Sequence, residues 1–251
     1  PVPPLVLEMD RNGITFVLAR HECGAGFAAA GYALANKTLG VALGTAGPGG
    51  TNMLTAAGQA MATGTPVLFL TGQPPIKEIG KVLGQDSTMF GTDLVRMFEP
   101  VTKFSARVER AELLEVYLKH AIEQAFTGVA GPVHLSIPLD VLYEECPAFQ
   151  LEPPPYGPQQ ISSNLDEVVE ILSVARRPVI LAGIGVHAVE AYEELESFAE
   201  RWNIPVMTTP GGKGVFRSRH PLSLGPLGLG GVPETEIYMQ DRIDVLLVIG
   251  S

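Results

Sequence analysis

A single acidic residue, Glu22, stands where an apolar stretch gives way to a glycine-rich segment. The stretch Ile14–Ala19 is predicted to be a strand, and the helix after it contains GAGFAAAGYA, whose small side chains let its backbone approach a neighbour closely. In parallel α/β sheets ligands bind beyond the carboxyl ends of strands, so Glu22 is predicted to lie at such a site. A carboxylate there suits proton transfer, because burial in a glycine-walled pocket raises the pKa of an acid toward neutrality.

A second glycine-rich turn, TAGPGGTN, follows the predicted strand Leu39–Thr45. Two such turns, one of them carrying a lone acid, predict a shallow polar site walled by backbone. The alternative is that Glu22 only favours a helix N-terminus, where a negative charge interacts well with the helix dipole. The second turn has its own alternative, a tight strand–helix connection in which Asn52 bonds local backbone. Spacing leaves both alternatives open.

The composition is typical of an α/β enzyme, with 251 residues, 46% of them apolar, and 28 glycines. The formal net charge is −10 without a cluster of lysine and arginine, which argues against nucleic acid or an anionic membrane as partner. Cys23 and Cys146 lack metal-ligand spacing and are predicted to be thiols in a reducing compartment. No apolar run reaches the ~20 residues of a membrane span and no signal peptide is visible, so we expect a cytoplasmic protein.

Apolar strands alternate with helices through the first 142 residues. The predicted strands are Ile14–Ala19, Leu39–Thr45, Pro66–Thr71, Val101–Val108 and Pro132–Pro138. Their nearly uninterrupted apolar character suits strands that helices cover on both faces. With right-handed crossovers, this pattern predicts an α/β fold with a doubly wound parallel sheet.

A proline-rich stretch at residues 144–160, EECPAFQLEPPPYGPQQ, predicts a stiff linker between two domains, 1–143 and 161–251. After it the alternation resumes and predicts a second, partial Rossmann-like α/β domain. Its predicted elements are a helix from Ser163 or Asn164 to Ala175, strand Pro178–Ala182, helix Ala188–Asn203, strand Pro205–Thr208 and strand Asp244–Ile249. The GIGVH turn after the first of these strands contains half of a dinucleotide fingerprint, which is weak evidence for a nucleotide site.

RHExGAxFAAxGYA followed by TxGPGxTN resembles the pyrimidine-binding domain of the thiamine-diphosphate enzymes, the superfamily of acetolactate synthase and benzoylformate decarboxylase. The likeness covers nearly the whole chain, since further motifs fall in the order of that family. They are PVLFLTGQ, FEPVTKFSARV, GPVHLSIPLDV, RPVILAGIGV, IPVMTTPGGKGVF, HPLSLGPLGLGG and DVLLVIGS. The resemblance implies that residues 1–143 are a pyrimidine-binding domain without its first strand and that residues 161–251 are a truncated central domain.

The resemblance also assigns roles to individual residues. It implies that Glu22 bonds the pyrimidine ring of thiamine diphosphate and drives the imino tautomer that removes the C2 proton. The residues it places against the same ring are Thr45, Gly47, Pro48 and Asn52. Diphosphate and Mg²⁺ are bound in that family by a third domain, whose Gly-Asp-Gly…Asn-Asn motif does not occur in this sequence. FAD is possible in the central domain but is not favoured, because the dinucleotide pattern is incomplete.

The histidines are interpreted as structural. His21 is expected to fix the loop beside Glu22 rather than to transfer protons, because the chemistry of the family needs only the acid there. His120 and His134 fall on a predicted helix and a predicted buried strand. No ligand set is expected around His187 or His220.

One segment departs from the family. Carboligases carry Gln-Glu or Gln-Asp nine residues before the VTK strand, where this chain has Phe90-Gly91; its Gln85-Asp86 pair lies five residues earlier. Acetolactate synthase activity is therefore left open.

We expect a fragment, inactive alone, of a 2-oxo-acid decarboxylase or carboligase that acts on a small-molecule 2-oxo acid as a homodimer or homotetramer. The alternatives are a catalytically silent homologue acting in binding or assembly, and an FAD- or NAD-binding oxidoreductase built on the second domain.

Overall fold

The computed structural model describes residues 2–152, 154 and 164–251. The chain divides into two compact units, Pro1–Pro158, called unit 1, and Gln159–Ser251, called unit 2. Much of the proposed linker at 144–160, and the proposed helix cap at Ser163, lie outside the described residues. The domain limits 1–143 and 161–251 therefore stay a prediction.

Unit 1 is built on a parallel sheet whose strands follow the order β1-β2-β4-β3. The strands are β1 (Gly40–Gly44), β2 (Val67–Gln73), β3 (Phe104–Arg107) and β4 (Val133–Pro138). The helices are α1 (Pro3–Arg11), α2 (Glu22–Asn36), α3 (Pro48–Thr51), α4 (Leu54–Ala62), α5 (Leu94–Phe98) and α6 (Leu114–Phe126). Every residue of β4 is buried, as expected for a central strand of a parallel sheet covered on both faces.

Small residues bring α2 and α4 onto the sheet. A methyl group added to Gly26 of α2 would lie 2.6 Å from Cβ of Ala56 in α4, so only glycine fits this approach. Gly40, at the start of β1, is packed in the same way against the backbone of Ala29. Glycine and alanine in the α2 segment thus set the distance between helix and sheet, which positions the N-terminus of α2 beside the carboxyl end of β1.

The predicted strand Ile14–Ala19 is wrong. These residues have no regular secondary structure, and Val17 and Leu18 are 79% and 83% exposed. A strand exists only through pairing with another strand, and among the described residues β1 pairs with β2 alone. The apolar pattern of this segment is that of a strand, but the pairing that would make it one is missing.

Unit 2 is a second parallel sheet, with strand order β7-β6-β5-β8. Its strands are β5 (Pro178–Ala182), β6 (Val206–Thr208), β7 (Ser223–Pro226) and β8 (Val245–Ile249). Its helices are α7 (Leu165–Val174), α8 (Ile184–Val189), α9 (Tyr192–Trp202) and α10 (Pro233–Gln240).

The single helix predicted over Ala188–Asn203 is wrong. Glu190 has a φ of +56°, which ends α8 before α9 begins. Strand β7 and helix α10 were not predicted, because SLGP and PETEIYMQ lack a clear apolar period.

Both units have parallel sheets flanked by helices, which confirms the predicted α/β fold class. Within the described part of the chain, no helix is long and apolar enough to cross a membrane.

Candidate functional site

The structure joins two of the predicted site residues, Glu22 and Asn52, although they lie 30 positions apart in the sequence. Glu22 is the first residue of α2, and Asn52 directly follows α3, the short helix after the β1 turn. The side-chain amide of Asn52 donates a hydrogen bond of 3.0 Å to Oε2 of Glu22. Among the described residues, no hydrogen bond joins the Asn52 side chain to local backbone, which the simpler interpretation of the turn required. The bond holds the carboxylate at the carboxyl edge of the sheet.

The TAGPGG turn places its backbone tightly around this pair. Gly47 has a φ of +62°, a conformation that favours glycine, and Pro48 occupies the first position of α3. A methyl group on Gly44 would lie 2.7 Å from the Met53 side chain, whereas one on Gly47 would meet only Cβ of Gln85, at 3.9 Å. Gly44 and Gly47 are both buried, whereas Pro48 of the same turn is exposed. The part of the turn that a ligand can reach is thus at Pro48.

Thr45 lies between the end of β1 and Gly47, partly buried. A methyl group added to Gly49 would lie 2.8 Å from Cγ2 of Thr45, so its methyl group packs inside the turn. Over residues 2–152, 154 and 164–251, no hydrogen bond joins the Thr45 hydroxyl to Glu22 or Asn52. The structure therefore brings Glu22 and Asn52 into contact, and it places Thr45, Gly47 and Pro48 beside them in the same turn.

The pKa of Glu22 is lowered, which corrects the expectation that burial would raise it. The hydrogen bond from Asn52 is the largest cause and outweighs the opposing effect of desolvation, because the carboxylate is only partly buried. Glu22 is thus an anion at neutral pH. An anionic carboxylate fixed by an amide can accept a hydrogen bond from a ligand N–H or stabilise a neighbouring positive charge.

His21 has the local role expected from the sequence. Its Nδ1 accepts a hydrogen bond of 3.2 Å from the backbone N–H of Cys23, which makes His21 the N-cap of α2. Glu22 therefore does not cap the helix itself, although its charge still lies in the first turn, where the helix dipole favours it.

The most deeply buried titratable side chain of the described residues, His134 of β4, is structural. The Ser105 hydroxyl donates to the Val95 carbonyl at 2.8 Å, so it accepts from Nδ1–H of His134, also at 2.8 Å. Nε2 then accepts from the Thr71 hydroxyl at 2.9 Å, and the ring stacks on Phe98 with centroids 4.0 Å apart. Burial lowers the pKa of His134 to about 3, so the ring is neutral and satisfied, as predicted.

A cluster around His220 in unit 2 was missed. Ligand atoms of Glu196, Glu200 and His220 lie within 4.8 Å of one another, and the i, i+4 spacing of the two glutamates on α9 was the available signal. The arrangement nevertheless does not suit a cation. Nδ1 of His220 accepts from the Leu222 N–H at 3.1 Å, which leaves the proton on Nε2, facing Glu200 at 3.0 Å. Arg217 binds both carboxylate oxygens of Glu196.

The GIGVH turn after β5 is occupied by the chain's own backbone. The N–H of Gly185 donates to the Gly250 carbonyl at 2.8 Å, and a methyl group on Gly185 would lie 2.7 Å from Cα of Gly250. His187 bonds Tyr192 at 3.0 Å and the Lys213 carbonyl at 3.1 Å. In a dinucleotide-binding turn the Gly185 N–H would face a phosphate. Here that N–H already donates to the Gly250 carbonyl.

Comparison with known protein families gives two matches. Residues 1–97 match the family model described as the thiamine pyrophosphate enzyme N-terminal TPP binding domain, and residues 165–251 match the thiamine pyrophosphate enzyme central domain. The first match contains all the residues of the candidate site. The site fits the aminopyrimidine of such a cofactor, because Asn52 holds a partly exposed anion that can accept a hydrogen bond from a ring N–H.

Curated relatives agree with these matches. The chain is 38% identical to a probable acetolactate synthase large subunit of Methanocaldococcus jannaschii over 248 residues, which are 95% of this chain and 41% of that protein. It is 35% identical to the acetolactate synthase large subunit of Corynebacterium glutamicum, covering 95% of this chain and 38% of the relative. It is 33% identical to the acetolactate synthase isozyme 1 large subunit of Escherichia coli, covering 95% and 42%. The chain thus spans about two fifths of these relatives.

Proposed function

The chain belongs to the thiamine pyrophosphate enzyme superfamily, and we propose that in the complete protein it forms the pyrimidine-binding half of an active site for 2-oxo-acid decarboxylation or carboligation. The observation that carries this proposal is the hydrogen bond between Asn52 and Glu22. It fixes a partly exposed anionic carboxylate beside the glycine-rich turn at the carboxyl edge of a parallel sheet, where a flat nitrogen heterocycle can bind.

Thiamine diphosphate, when bound, supplies the nucleophilic carbon that attacks the carbonyl group of a 2-oxo acid. In our proposal Glu22 accepts a hydrogen bond from a ring nitrogen of the aminopyrimidine and stabilises a proton there. Asn52 positions Glu22 and keeps it ionised, since its amide bonds the charged form. Thr45, Gly47 and Pro48 form the wall against which the ring lies.

Partners and further cofactors are also part of the proposal. Diphosphate and Mg²⁺ are assigned to residues outside this sequence, because it has no matching motif. We propose a homodimer or homotetramer in which the exposed face of α2, with Phe27, Gly31 and Tyr32, contacts a second copy. We do not assign FAD to the GIGVH turn, whose Gly185 N–H is already bonded.

Titration calorimetry tests the proposal, with thiamine diphosphate and Mg²⁺ added to the complete protein and to the 251-residue chain. We expect tight binding and consumption of a 2-oxo acid by the complete protein only, since the diphosphate carries most of the ligand charge. Micromolar binding by the 251-residue chain alone would contradict the assignment of diphosphate and Mg²⁺ to residues outside this sequence. A complete protein that binds the cofactor without consuming any 2-oxo acid would support the alternative of a silent homologue.

A further inference from the structure

The short helix α3, which leads directly to Asn52, packs closely against α5. A methyl group added to Gly50 of α3 would lie 2.7 Å from Cδ2 of Leu94, the first residue of α5. Leu94 is fully buried. Two carbon atoms do not approach this closely without a shift, so the backbone of α3 already lies against the Leu94 side chain. The size of that side chain therefore sets the distance between α3 and α5.

Buried contacts hold α5 on the sheet at both of its ends. Near its start, the Val95 carbonyl accepts a hydrogen bond of 2.8 Å from the Ser105 hydroxyl of β3. At its end, the fully buried ring of Phe98 stacks on the His134 ring of β4, with centroids 4.0 Å apart. Helix α5 is thus fixed independently of α3, and it holds Leu94 in place.

The turn that contains Gly50 also carries Asn52. The N–H of Met53 donates to the Gly50 carbonyl at 3.0 Å. The N–H of Asn52 donates to the Pro48 carbonyl at 2.9 Å. Because these bonds join the turn into one unit, a shift of Gly50 would move Asn52 with it. The carboxylate of Glu22 lies on a different element, α2, so its distance from the Asn52 amide depends on where α3 lies.

We propose that Leu94 is a positioning residue, which holds α3 where the amide of Asn52 reaches the carboxylate of Glu22. For its catalytic consequence this inference rests on the proposed function. The hydrogen bond between the two side chains is 3.0 Å long, and a lengthening by about 0.6 Å would break it. Truncation of Leu94 to alanine would leave a cavity beside Gly50, into which the surrounding structure relaxes in part. The bond is therefore sensitive to the size of a side chain that touches neither partner.

The test is an NMR titration of the Glu22 carboxyl group in the 251-residue chain. In the wild type the bond from Asn52 is the main cause of the lowered pKa of Glu22. Leu94→Ala should raise this pKa toward the ordinary value of a glutamate. Asn52→Ala gives the largest rise that loss of the bond can cause. Leu94→Met, which nearly conserves the volume, should keep the wild-type pKa.

Leu135→Ala is the matched control. Leu135 is also a fully buried leucine of unit 1, but it belongs to the core cluster on the other face of the sheet. This variant should lose stability without a change in the pKa of Glu22. Leu94→Val removes only one methylene group, so it should give a smaller rise and replaces Leu94→Ala if that variant does not fold. A Glu22 pKa that stays at the wild-type value in the Leu94 variants, or rises equally in Leu135→Ala, would overturn the inference.

A failure of the proposed function is distinguishable, because the titration needs neither cofactor nor substrate. In the complete protein, Leu94→Ala should slow hydrogen–deuterium exchange at C2 of bound thiamine diphosphate by about 10- to 100-fold, because a misplacement of about 1 Å can cost this much. A raised Glu22 pKa with an unchanged exchange rate would support the positioning role and contradict the catalytic role of Glu22. A slowed exchange with an unchanged pKa would overturn the positioning role.

Discussion

Two glycine-rich turns follow strands in the two units, and the structure uses their glycines in different ways. After β1, Asn52 holds a partly exposed anionic carboxylate of another helix, and only Cβ of Gln85 lies within 4 Å of a methyl group added to Gly47. After β5, Gly183 and Gly185 are packed against Gly250, and the Gly185 N–H donates to its carbonyl. In the sequence both turns look like ligand sites.

Glycine in a strand–helix turn can serve either of two purposes. It lets a ligand approach the backbone, or it lets another strand end approach it. A polar side chain fixed from a second element, as Glu22 is by Asn52, marks the first case. A backbone N–H that is already bonded marks the second.

The largest effect is expected from Glu22→Gln in the complete protein. The amide keeps the size of the side chain but cannot stabilise a proton on the bound ring. Acid–base contributions of this kind amount to about 10²–10⁴-fold, roughly 3–5 kcal/mol of barrier. We expect a loss of this size in the rate of hydrogen–deuterium exchange at C2 of bound thiamine diphosphate.

Glu115→Gln is the matched control for that measurement. Glu115 also lies in the first turn of a helix, α6, but belongs to no part of the candidate site. An exchange rate within a few-fold of wild type for Glu22→Gln would show that Glu22 is only a favourable charge at a helix N-terminus. The difference between the two turns would then not concern catalysis.

The next effect is a dependence of stability on pH that we expect in unit 1, because unit 1 contains the buried His134. The pKa of His134 in folded unit 1 is about 3, below the unfolded value of 6.5, so the unfolded chain binds a proton first as pH falls. The stability that this buried neutral ring contributes is complete above pH 6.5 and is lost as pH falls toward 3. At 1.36 kcal/mol per unit, unit 1 should lose about 3 kcal/mol between pH 7 and pH 4.

Chemical denaturation monitored by amide exchange in each unit would measure this loss. His134 is the described histidine whose side chain is fully buried, so the pH dependence that it causes should appear in unit 1. His134→Gln should lower the stability of unit 1 at pH 7 and flatten its dependence on pH. His120→Gln, at an exposed position of α6, is the matched control. A slope that survives His134→Gln would contradict the assignment.

A smaller effect tests whether the GIGVH turn is a packing site. A methyl group on Gly183 would lie 2.7 Å from Cα of Ser251, against backbone that cannot turn away. Gly183→Ala should therefore lower the unfolding free energy of unit 2 by about 1–3 kcal/mol. Gly211→Ala is the control, since its methyl group would contact Ile184 at an ordinary 3.5 Å. Equal unfolding midpoints in urea for the two variants would argue that Gly250 does not fill this turn.

The smallest effect concerns the open face of α2. Nothing lies within 4 Å of a methyl group added to Gly31, so Gly31→Ala should stabilise the 251-residue chain by about 0.5–1 kcal/mol. Gly26→Ala on the same helix should destabilise it, because the added group meets Ala56. Thermal unfolding measures both changes. Sedimentation velocity on the same variants tests the proposed contact between copies. Gly31→Ala should weaken this contact, and a strictly monomeric wild-type chain would contradict it.

The sequence was most informative where a local pattern decides the structure. Uninterrupted apolar runs located β2, β4, β5 and β8 to within two residues at either end. Ile14–Ala19 has the same apolar pattern but no partner strand among the described residues. Strand pairing depends on residues far away in the sequence, so a local pattern cannot predict it. Likewise the motifs pointed to Glu22 and Asn52 separately. Their mutual hydrogen bond, and the lowered pKa of Glu22 that follows from it, depend on how α2 packs beside α3.

The exposed segment Ile14–Ala19 also bears on how the isolated chain behaves in concentrated solution. ITFVLA is six residues long, rich in β-branched and aromatic side chains, and contains no charge, proline or glycine. Short segments of this composition stack into cross-β assemblies when they are accessible. The segment is thus an aggregation hazard, and a charged residue at Val17, which is 79% exposed, would act as a gatekeeper against fibril growth without disturbing the core.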